Sequence, residues 1–173
     1  MEPTGKLRIL LVDDNPLMLK LLRGVLLAFQ MGDVVESGDV PSALEEMRRD
    51  KPDIVFVDWL MEPVDGLELV RAIRRGEPGL DPYTPVIMMT GYADEPRVLE
   101  ARDAGITELL SKPISAESVL RRLMAIIESP RPFVRTQTYF GPDRRRKQRP
   151  FSGPDRRRQE IDLDDTDIDW AEP

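Results

Sequence analysis

Cysteine and histidine are both absent from the 173-residue sequence. Without cysteine the chain forms no disulfide and offers no thiolate to a metal, as is typical of proteins of a reducing compartment. Without histidine it lacks the usual general base at neutral pH, the usual zinc ligand and any phosphohistidine carrier. Chemistry in this chain therefore has to come from carboxylates, hydroxyl groups and amines.

Long apolar runs and a secretion signal are also missing. The first residues, MEPTGKLRILLVDD, do not show the basic, apolar and small-residue segments of a signal peptide. The most apolar helix candidate, residues 17–31, is interrupted by Lys20, Arg23 and Gly24, and it is shorter than the roughly 20 apolar residues that span a bilayer. We therefore expect a cytoplasmic protein without membrane insertion.

Charge is distributed unevenly along the chain. The formal net charge of −7 combines a block of −8 over residues 1–128, a block of +8 over residues 129–159 and a block of −7 over residues 160–173. Only the first block has the hydrophobic periodicity of a folded domain. We therefore predict a domain at 1–128, a basic tail at 129–159 and an acidic C-terminus at 160–173.

Strand-like and helix-like segments alternate within residues 1–128. Short apolar runs indicate buried strands, and longer segments with apolar residues at helical spacing indicate helices. Five strands alternating with five helices predict an α/β fold, in which a doubly wound parallel sheet has helices on both faces. The predicted strands are 7–12, 34–37, 53–59, 85–90 and 106–111, and the predicted helices are 16–31, 42–50, 66–75, 94–105 and 115–128.

Residues that can carry chemistry lie where the predicted strands end. They are Asp13 and Asp14 after the first strand, Asp58 on the third, Thr90 on the fourth and Lys112 after the fifth. The carboxyl ends of parallel strands meet at one edge of the sheet, where such folds hold their ligands. Three carboxylates there repel one another unless a cation joins them, and an all-oxygen set favours a hard ion such as Mg²⁺. An Asp-Asp pair alone is more often a turn or a solvated cap, so the prediction depends on all five residues.

Four motifs and the spacing between them resemble the receiver domain of bacterial two-component response regulators. They are LLVDDNP (10–16), VDWLMEPVDGLEL (57–69), PVIMMTGYAD (85–94) and LLSKPIS (109–115). The resemblance covers about residues 7–128. It implies the flavodoxin-like strand order 2-1-3-4-5.

The resemblance implies roles for the acidic residues. Asp58 matches the aspartate that accepts a phosphoryl group from a histidine kinase or a phosphotransfer protein. Asp13 and Asp14 match the acidic pair that binds Mg²⁺, together with Asp58 and the backbone carbonyl of Leu60. The implied cofactor is therefore Mg²⁺.

The same resemblance gives roles to a hydroxyl group and an ammonium group. Thr90 matches the hydroxyl that reorients to hydrogen-bond the phosphoryl oxygens, and Lys112, before a Pro113 expected in cis, matches the ammonium that contacts the same oxygens. A phosphoryl group on Asp58 adds charge and strong acceptor atoms, which attract such donors. The expected protein is a two-state signalling switch, and not an enzyme beyond its own phosphorylation and dephosphorylation.

Two residues depart from the family pattern, and two others occupy positions that vary within the family. Glu62 stands where proline is usual in the loop after the acceptor, and Leu109 stands where receivers often carry an aromatic residue that moves inward on activation. The usual coupling to that aromatic residue is therefore not expected. Leu60 and Tyr92 hold the two variable positions beside the phosphoryl group, and neither offers a carboxylate or amide to orient water, so we expect slow self-dephosphorylation.

The tail contains a duplicated motif. YFGPDRRR at residues 139–146 is followed twelve residues later by FSGPDRRR at residues 151–158. Its composition predicts a largely disordered extension, but aromatic residues beside arginines leave open a docking motif for an acidic surface, on a partner or on the receiver domain itself. The adjacent acidic stretch competes for the same arginines and argues against nucleic-acid binding, and no helix-turn-helix pattern is present in the sequence.

The leading hypothesis is a phosphorylation-activated response regulator that signals to an unidentified protein target without a DNA-binding output domain. The alternative is a degenerate receiver that acts as a phosphorylation-independent scaffold through its arginine-rich tail. A phosphotransferase or phosphatase for small molecules is disfavoured, because the sequence has no glycine-rich phosphate loop and no histidine.

Overall fold

The computed structural model describes residues 7–92 and 94–144 of the chain. Strands and helices alternate over most of this length, and two short strands follow the last helix. The strands are β1 (Arg8–Val12), β2 (Asp33–Ser37), β3 (Ile54–Asp58), β4 (Val86–Thr90), β5 (Glu108–Ser111), β6 (Phe133–Arg135) and β7 (Phe140–Pro142). The helices are α1 (Pro16–Ala28), α2 (Val40–Arg49), α3 (Gly66–Arg75), α4 (Glu95–Ala104) and α5 (Ala116–Glu128).

The first five strands form one parallel sheet in the order β2-β1-β3-β4-β5. Strands that follow one another in the chain are joined through a helix, because a parallel connection has to return the chain to the starting edge. The predicted fold class and strand order are confirmed. The carboxyl ends of all five strands lie at one edge of the sheet.

Side chains from the two faces of the sheet form two separate cores. Leu10 and Val57 belong to the core shared with α2, α3 and α4, whereas Leu11 and Phe56 belong to the core shared with α1 and α5. Successive residues of a strand point to opposite faces, so β1 and β3 are apolar at nearly every position and are buried on both sides. The sheet is therefore a rigid support for the residues at its edge.

The helices begin at the caps that the sequence indicates. The side chain of Asn15 accepts a hydrogen bond from Leu17 N ahead of α1, and Ser115 and Ser118 form a reciprocal capping box at the start of α5. Helix α2 begins two residues earlier than predicted, because Asp39 caps it.

Two element ends differ from the predicted limits for a local reason. Helix α1 ends at Ala28, three residues before the predicted end, because Gln30 and Gly32 take positive φ angles of 55° and 74° and turn the chain toward β2. Strand β5 begins at Glu108, two residues late, because Gly105 ends α4 with a φ of 95° and the chain needs the next residues to reach the sheet.

The part of the tail that the structure describes differs from the expectation of a largely disordered extension. Strands β6 and β7 pair antiparallel, with Phe133 opposite Pro142 and Arg135 opposite Phe140. They form a hairpin that contacts α3. The second copy of the repeat and the acidic C-terminus lie outside the described residues.

No helix among residues 7–92 and 94–144 is both long enough and apolar enough to cross a bilayer.

Candidate functional site

Three carboxylates meet at the carboxyl ends of β1 and β3. Val12 pairs with Val57 in the sheet, so the residues that follow them, Asp13 and Asp58, lie side by side. Both are buried, whereas Asp14 is exposed. One oxygen from each of the three carboxylates lies within 4.8 Å of the others. The sequence prediction that these residues converge is thus reproduced in the geometry.

Lys112 brings an ammonium group to the same place. Its Nζ lies 2.9 Å from Asp58 Oδ1 and 3.6 Å from Asp13 Oδ2. The backbone holds the lysine there, because Lys112 N donates a hydrogen bond of 2.7 Å to the carbonyl of Thr90 at the end of β4. The bond from Lys112 to Pro113 is cis, as expected.

Burial and charge shift the ionisation of these groups in a consistent way. Burial raises the pKa of Asp13 and of Asp58, and the positive charge of Lys112 only partly offsets that effect. Burial alone would lower the pKa of Lys112, but its hydrogen bond to Asp58 and the charges of both aspartates raise it overall. The carboxylates are therefore costly to keep ionised in this site without a further cation.

The donor set fits a magnesium ion. All three side chains offer carboxylate oxygens, and Asp13 Oδ2 is buried without a hydrogen-bond partner among the described residues. Hard divalent cations prefer such oxygen ligands. The backbone carbonyl of Leu60 remains the predicted additional ligand.

Thr90 is buried close to this group, but its hydroxyl is engaged elsewhere. Thr90 Oγ1 donates a hydrogen bond of 2.9 Å to the carbonyl of Tyr92 and accepts one of 3.0 Å from the N–H of Tyr92. The loop between β4 and α4 thus holds the hydroxyl. A contact from Thr90 to a phosphoryl group requires that this arrangement change.

The loop after Asp58 is fixed by a close backbone approach. Trp59 N donates to the carbonyl of Met89, and Gly66 N donates to the carbonyl of Trp59. A Cβ at Gly66 would overlap the carbonyl oxygen of Asp58 and lie 2.9 Å from Val57 Cγ2. Glycine is therefore required at this position for α3 to start against the end of β3.

The side chains at the mouth of the site are largely apolar and exposed. Leu60 is 53% exposed and Tyr92 is 60% exposed. Glu62 is exposed in the same loop, and the bond from Glu62 to Pro63 is also cis. Leu109 is buried in the core next to α4.

One contact near the site was missed by the sequence reasoning. The guanidinium carbon of Arg97, in the first turn of α4, lies 4.8 Å from the ring centroid of Tyr92 and 5.9 Å from that of Trp59. Both rings follow residues of the predicted site, Thr90 and Asp58. An arginine one turn into the helix after an aromatic loop residue was the signal available in the sequence.

Comparison with known proteins adds the following findings. Residues 9–124 match the family described as response regulator receiver domain. The transcriptional regulatory protein GlrR of Escherichia coli is 32% identical over 124 residues, which are 72% of this chain and 27% of GlrR. The chemotaxis protein CheY of Pseudomonas aeruginosa is 29% identical over 122 residues, which are 70% of this chain and 97% of CheY.

A solved structure with the same fold bears on the metal. The receiver domain of the sensor histidine kinase PA1611 from Pseudomonas aeruginosa is 28% identical, with a TM-score of 0.64 over 73% of this chain and 100% of that domain. Its crystal structure has a magnesium ion coordinated in the active site cleft. The chain thus spans only about a quarter of relatives such as GlrR, but nearly all of the single-domain ones.

Proposed function

This chain belongs to the response regulator receiver domain family, and we propose that it accepts a phosphoryl group on Asp58 and changes its protein contacts as a result. The donor is a histidine kinase or a phosphotransfer protein, as membership of the family implies. The output is contact with another protein. The absence of cysteine is consistent with a cytoplasmic location for this exchange.

The proposed reaction is a simple displacement at phosphorus. A carboxylate oxygen of Asp58 attacks, the new P–O bond forms as the P–N bond to the donor imidazole breaks, and the imidazole nitrogen keeps the electron pair of that bond. Lys112 already contacts Asp58, so its ammonium can stabilise the charge that develops on the phosphoryl oxygens. Hydrolysis of the resulting acyl phosphate by water returns Asp58 to its starting form.

We assign the metal of this reaction to three side chains and one backbone carbonyl. Asp13, Asp14 and Asp58 would bind Mg²⁺ together with the backbone carbonyl of Leu60, and the bound ion would neutralise charge on the phosphoryl oxygens. The buried Asp13 oxygen without a hydrogen-bond partner among the described residues supports this assignment.

The convergence of Asp58, the acidic pair and Lys112 at one edge of the sheet is the observation that carries the proposal. Any one of these residues has a structural explanation. Burying a carboxylate between another carboxylate and an ammonium group costs desolvation free energy, and such clusters are characteristic of functional sites.

We also propose the domain limits predicted from the sequence, which are 1–128, 129–159 and 160–173.

The test is phosphorylation by a small phosphodonor. Incubation with acetyl phosphate and Mg²⁺ should add one phosphoryl group, detected by intact-protein mass spectrometry. The Asp58→Ala variant should take up none, whereas Asp50→Ala, which changes an exposed aspartate that pairs with Arg8 at the opposite edge of the sheet, should behave as wild type. Wild-type protein that remains unmodified would contradict the proposal and favour the phosphorylation-independent scaffold.

A further inference from the structure

An aromatic cluster anchors the hairpin β6–β7 on the receiver domain. The ring centroids of Phe133 and Phe140 each lie 5.2 Å from that of Tyr83, and the guanidinium carbon of Arg74 lies 5.0 Å from the Phe133 centroid. Arg74 is 8% exposed and is fixed by three hydrogen bonds to backbone carbonyls, one of them that of Gly105. Burial of these rings on a fixed support makes docking favourable.

A second set of contacts joins the hairpin to the C-terminal end of α4. Arg144 Nη1 lies 3.4 Å from Asp103 Oδ1. Gly141 packs directly against Gly105, since a Cβ at Gly141 would lie 3.1 Å from Gly105 Cα. A contact this close between two backbones leaves no space for α4 to shift while the hairpin stays in place.

Helix α4 is weakly held by the core between its two ends. Of its ten residues, all described by the structure, only Val98 and Ala101 are buried, whereas α3, of the same length, buries seven. A helix with so little buried apolar surface is a locally less stable element, so the contacts at its ends contribute substantially to its position. The contact at its N-terminal end is that of Arg97 with the rings of Tyr92 and Trp59.

The loop before α4 is tied to the hydroxyl of Thr90, which donates its only proton to the carbonyl of Tyr92. A hydroxyl group has a single proton to donate, so Thr90 cannot hold Tyr92 in this way and also donate to a phosphoryl oxygen on Asp58. Transfer of that hydrogen bond to the phosphoryl group would therefore release the loop and, with it, the N-terminal end of α4.

We propose that docking of the hairpin β6–β7 is coupled through α4 to the phosphorylation of Asp58, so that the receiver signals by releasing its own tail. The hairpin is docked while Thr90 bonds to Tyr92, and it is released when Thr90 turns to the phosphoryl group and α4 shifts. This inference rests on the proposed function. Receivers often couple activation to an aromatic residue at the position of Leu109, which here is a buried leucine. The inference assigns that coupling to α4 instead.

The coupling has to act in both directions. If the phosphoryl group disfavours docking, the docked hairpin weakens the binding of a phosphoryl analogue to the site by the same factor. Release would expose Phe133, Phe140 and Arg144, and these groups fit a partner with an acidic surface and an apolar pocket. The hairpin β6–β7 would thus be the output surface of this protein.

The experiment compares binding of beryllofluoride, in the presence of Mg²⁺, to full-length wild type, Gly141→Ala and Arg144→Ala. The first variant places a Cβ against the Tyr139 hydroxyl and Gly105 Cα and so disfavours the docked hairpin. The second removes the ion pair with Asp103 and the contact with the Tyr139 ring. Both should bind beryllofluoride about tenfold more tightly than wild type. Arg23→Ala, which breaks a partly exposed ion pair with Glu36 of β2, should bind as wild type does.

Amide hydrogen exchange gives the second measurement. Beryllofluoride should speed exchange in residues 131–144 of the wild type and should have no such effect in Thr90→Ala. Equal affinities in all variants, together with unchanged exchange in the wild type, would overturn the coupling but leave the proposed function standing. No binding of beryllofluoride to the wild type would overturn both.

Discussion

The ammonium nitrogen of Lys112 lies 2.9 Å from Oδ1 of Asp58. The same nitrogen lies 3.6 Å from Oδ2 of Asp13, so one cation serves two buried carboxylates. Burial raises the pKa of both aspartates, and the lysine limits that increase. The residue that limits the rise in the pKa of Asp58 is thus the one whose ammonium would lie beside a phosphoryl group on Asp58.

Replacing Lys112 by alanine should affect metal binding and phosphoryl transfer in opposite directions. Without the ammonium, the three carboxylates attract Mg²⁺ more strongly, so the dissociation constant for Mg²⁺ should fall. Phosphorylation by acetyl phosphate should slow by about 100-fold, because a donor to the phosphoryl oxygens is lost. Trp59 is buried next to Asp58. Its fluorescence, in a Trp170→Phe background, can therefore follow both Mg²⁺ binding and phosphorylation.

Lys51→Ala is the matched control for this prediction. It removes the same charge from an exposed position before β3, at the opposite edge of the sheet. The dissociation constant for Mg²⁺ and the rate of phosphorylation by acetyl phosphate should both stay unchanged in this variant. Weaker Mg²⁺ binding in Lys112→Ala would show that the lysine supports the metal site instead of competing with the ion.

The phosphorylated protein should hydrolyse slowly. Leu60 and Tyr92, both more than half exposed, offer no carboxylate or amide to orient a water molecule. The double variant Leu60→Asn, Tyr92→Glu should shorten the half-life of the phosphorylated form by at least about tenfold, because it supplies such groups. Decay of the phosphorylated species after removal of the donor is the measurement. Leu27→Asn, at an exposed position in α1, serves as control, and equal half-lives in all three proteins would contradict the expectation.

The start of α3 should not tolerate a methyl group. Gly66→Ala places a Cβ against the carbonyl oxygen of Asp58, and we expect a loss of at least about 2 kcal/mol in the free energy of unfolding. Gly24→Ala is the matched control, since a Cβ at this exposed helical position meets nothing within 4 Å. It should increase stability by about 0.5–1 kcal/mol. Urea denaturation of the two variants checks both values, and a neutral Gly66→Ala would show that the loop can move away.

The sheet and its acidic edge could be predicted because their signals are local. Runs such as ILLV before Asp13 and IVFV before Asp58 are buried on both faces, and a parallel sheet has to bring their ends together. The starts of α1 and α5 could be predicted from local sequence too, because Asn15 and Ser115 are capping residues. Each of these features depends on a few consecutive residues and on one topological rule.

The hairpin could not be predicted because its stability comes from residues far away in the sequence. Phe133 and Phe140 have little to bury against within the tail itself, and composition alone indicates disorder there. They are ordered by Tyr83 and Arg74, which lie some fifty residues earlier. The contact of Arg97 with Tyr92 was missed for a similar reason, since a charged residue in the first turn of a helix usually faces solvent.

The docked hairpin buries a phenol that reports on its state. Tyr139 is 9% exposed, its hydroxyl donates to the carbonyl of Pro142 at 2.7 Å, and the guanidinium carbon of Arg144 lies 4.0 Å from its ring centroid. Burial raises the pKa of Tyr139 above its ordinary value of 10.0, although Arg144 and other nearby arginines oppose the shift. Burial lowers the pKa of Arg74 to about 10, so this arginine stays protonated at neutral pH.

The phenol should ionise at higher pH in the docked hairpin than after release. Because its pKa is raised by docking, Tyr139 contributes stability that is complete below pH 10.0 and is lost as the pH rises through the higher, docked value. Arg74 titrates in the same pH range, but its effect on stability has the opposite sign because its pKa is lowered.

Because the two effects on stability overlap, phenolate absorbance tests the prediction better than a measurement of stability does. The difference between wild type and Tyr139→Phe should titrate above pH 10. The same difference measured in a Phe133→Ala background, which removes a ring packed on Tyr83 and Arg74, should titrate closer to 10. One midpoint shared by both backgrounds would mean that the phenol is solvated in either case, and that the hairpin does not bury Tyr139 in solution.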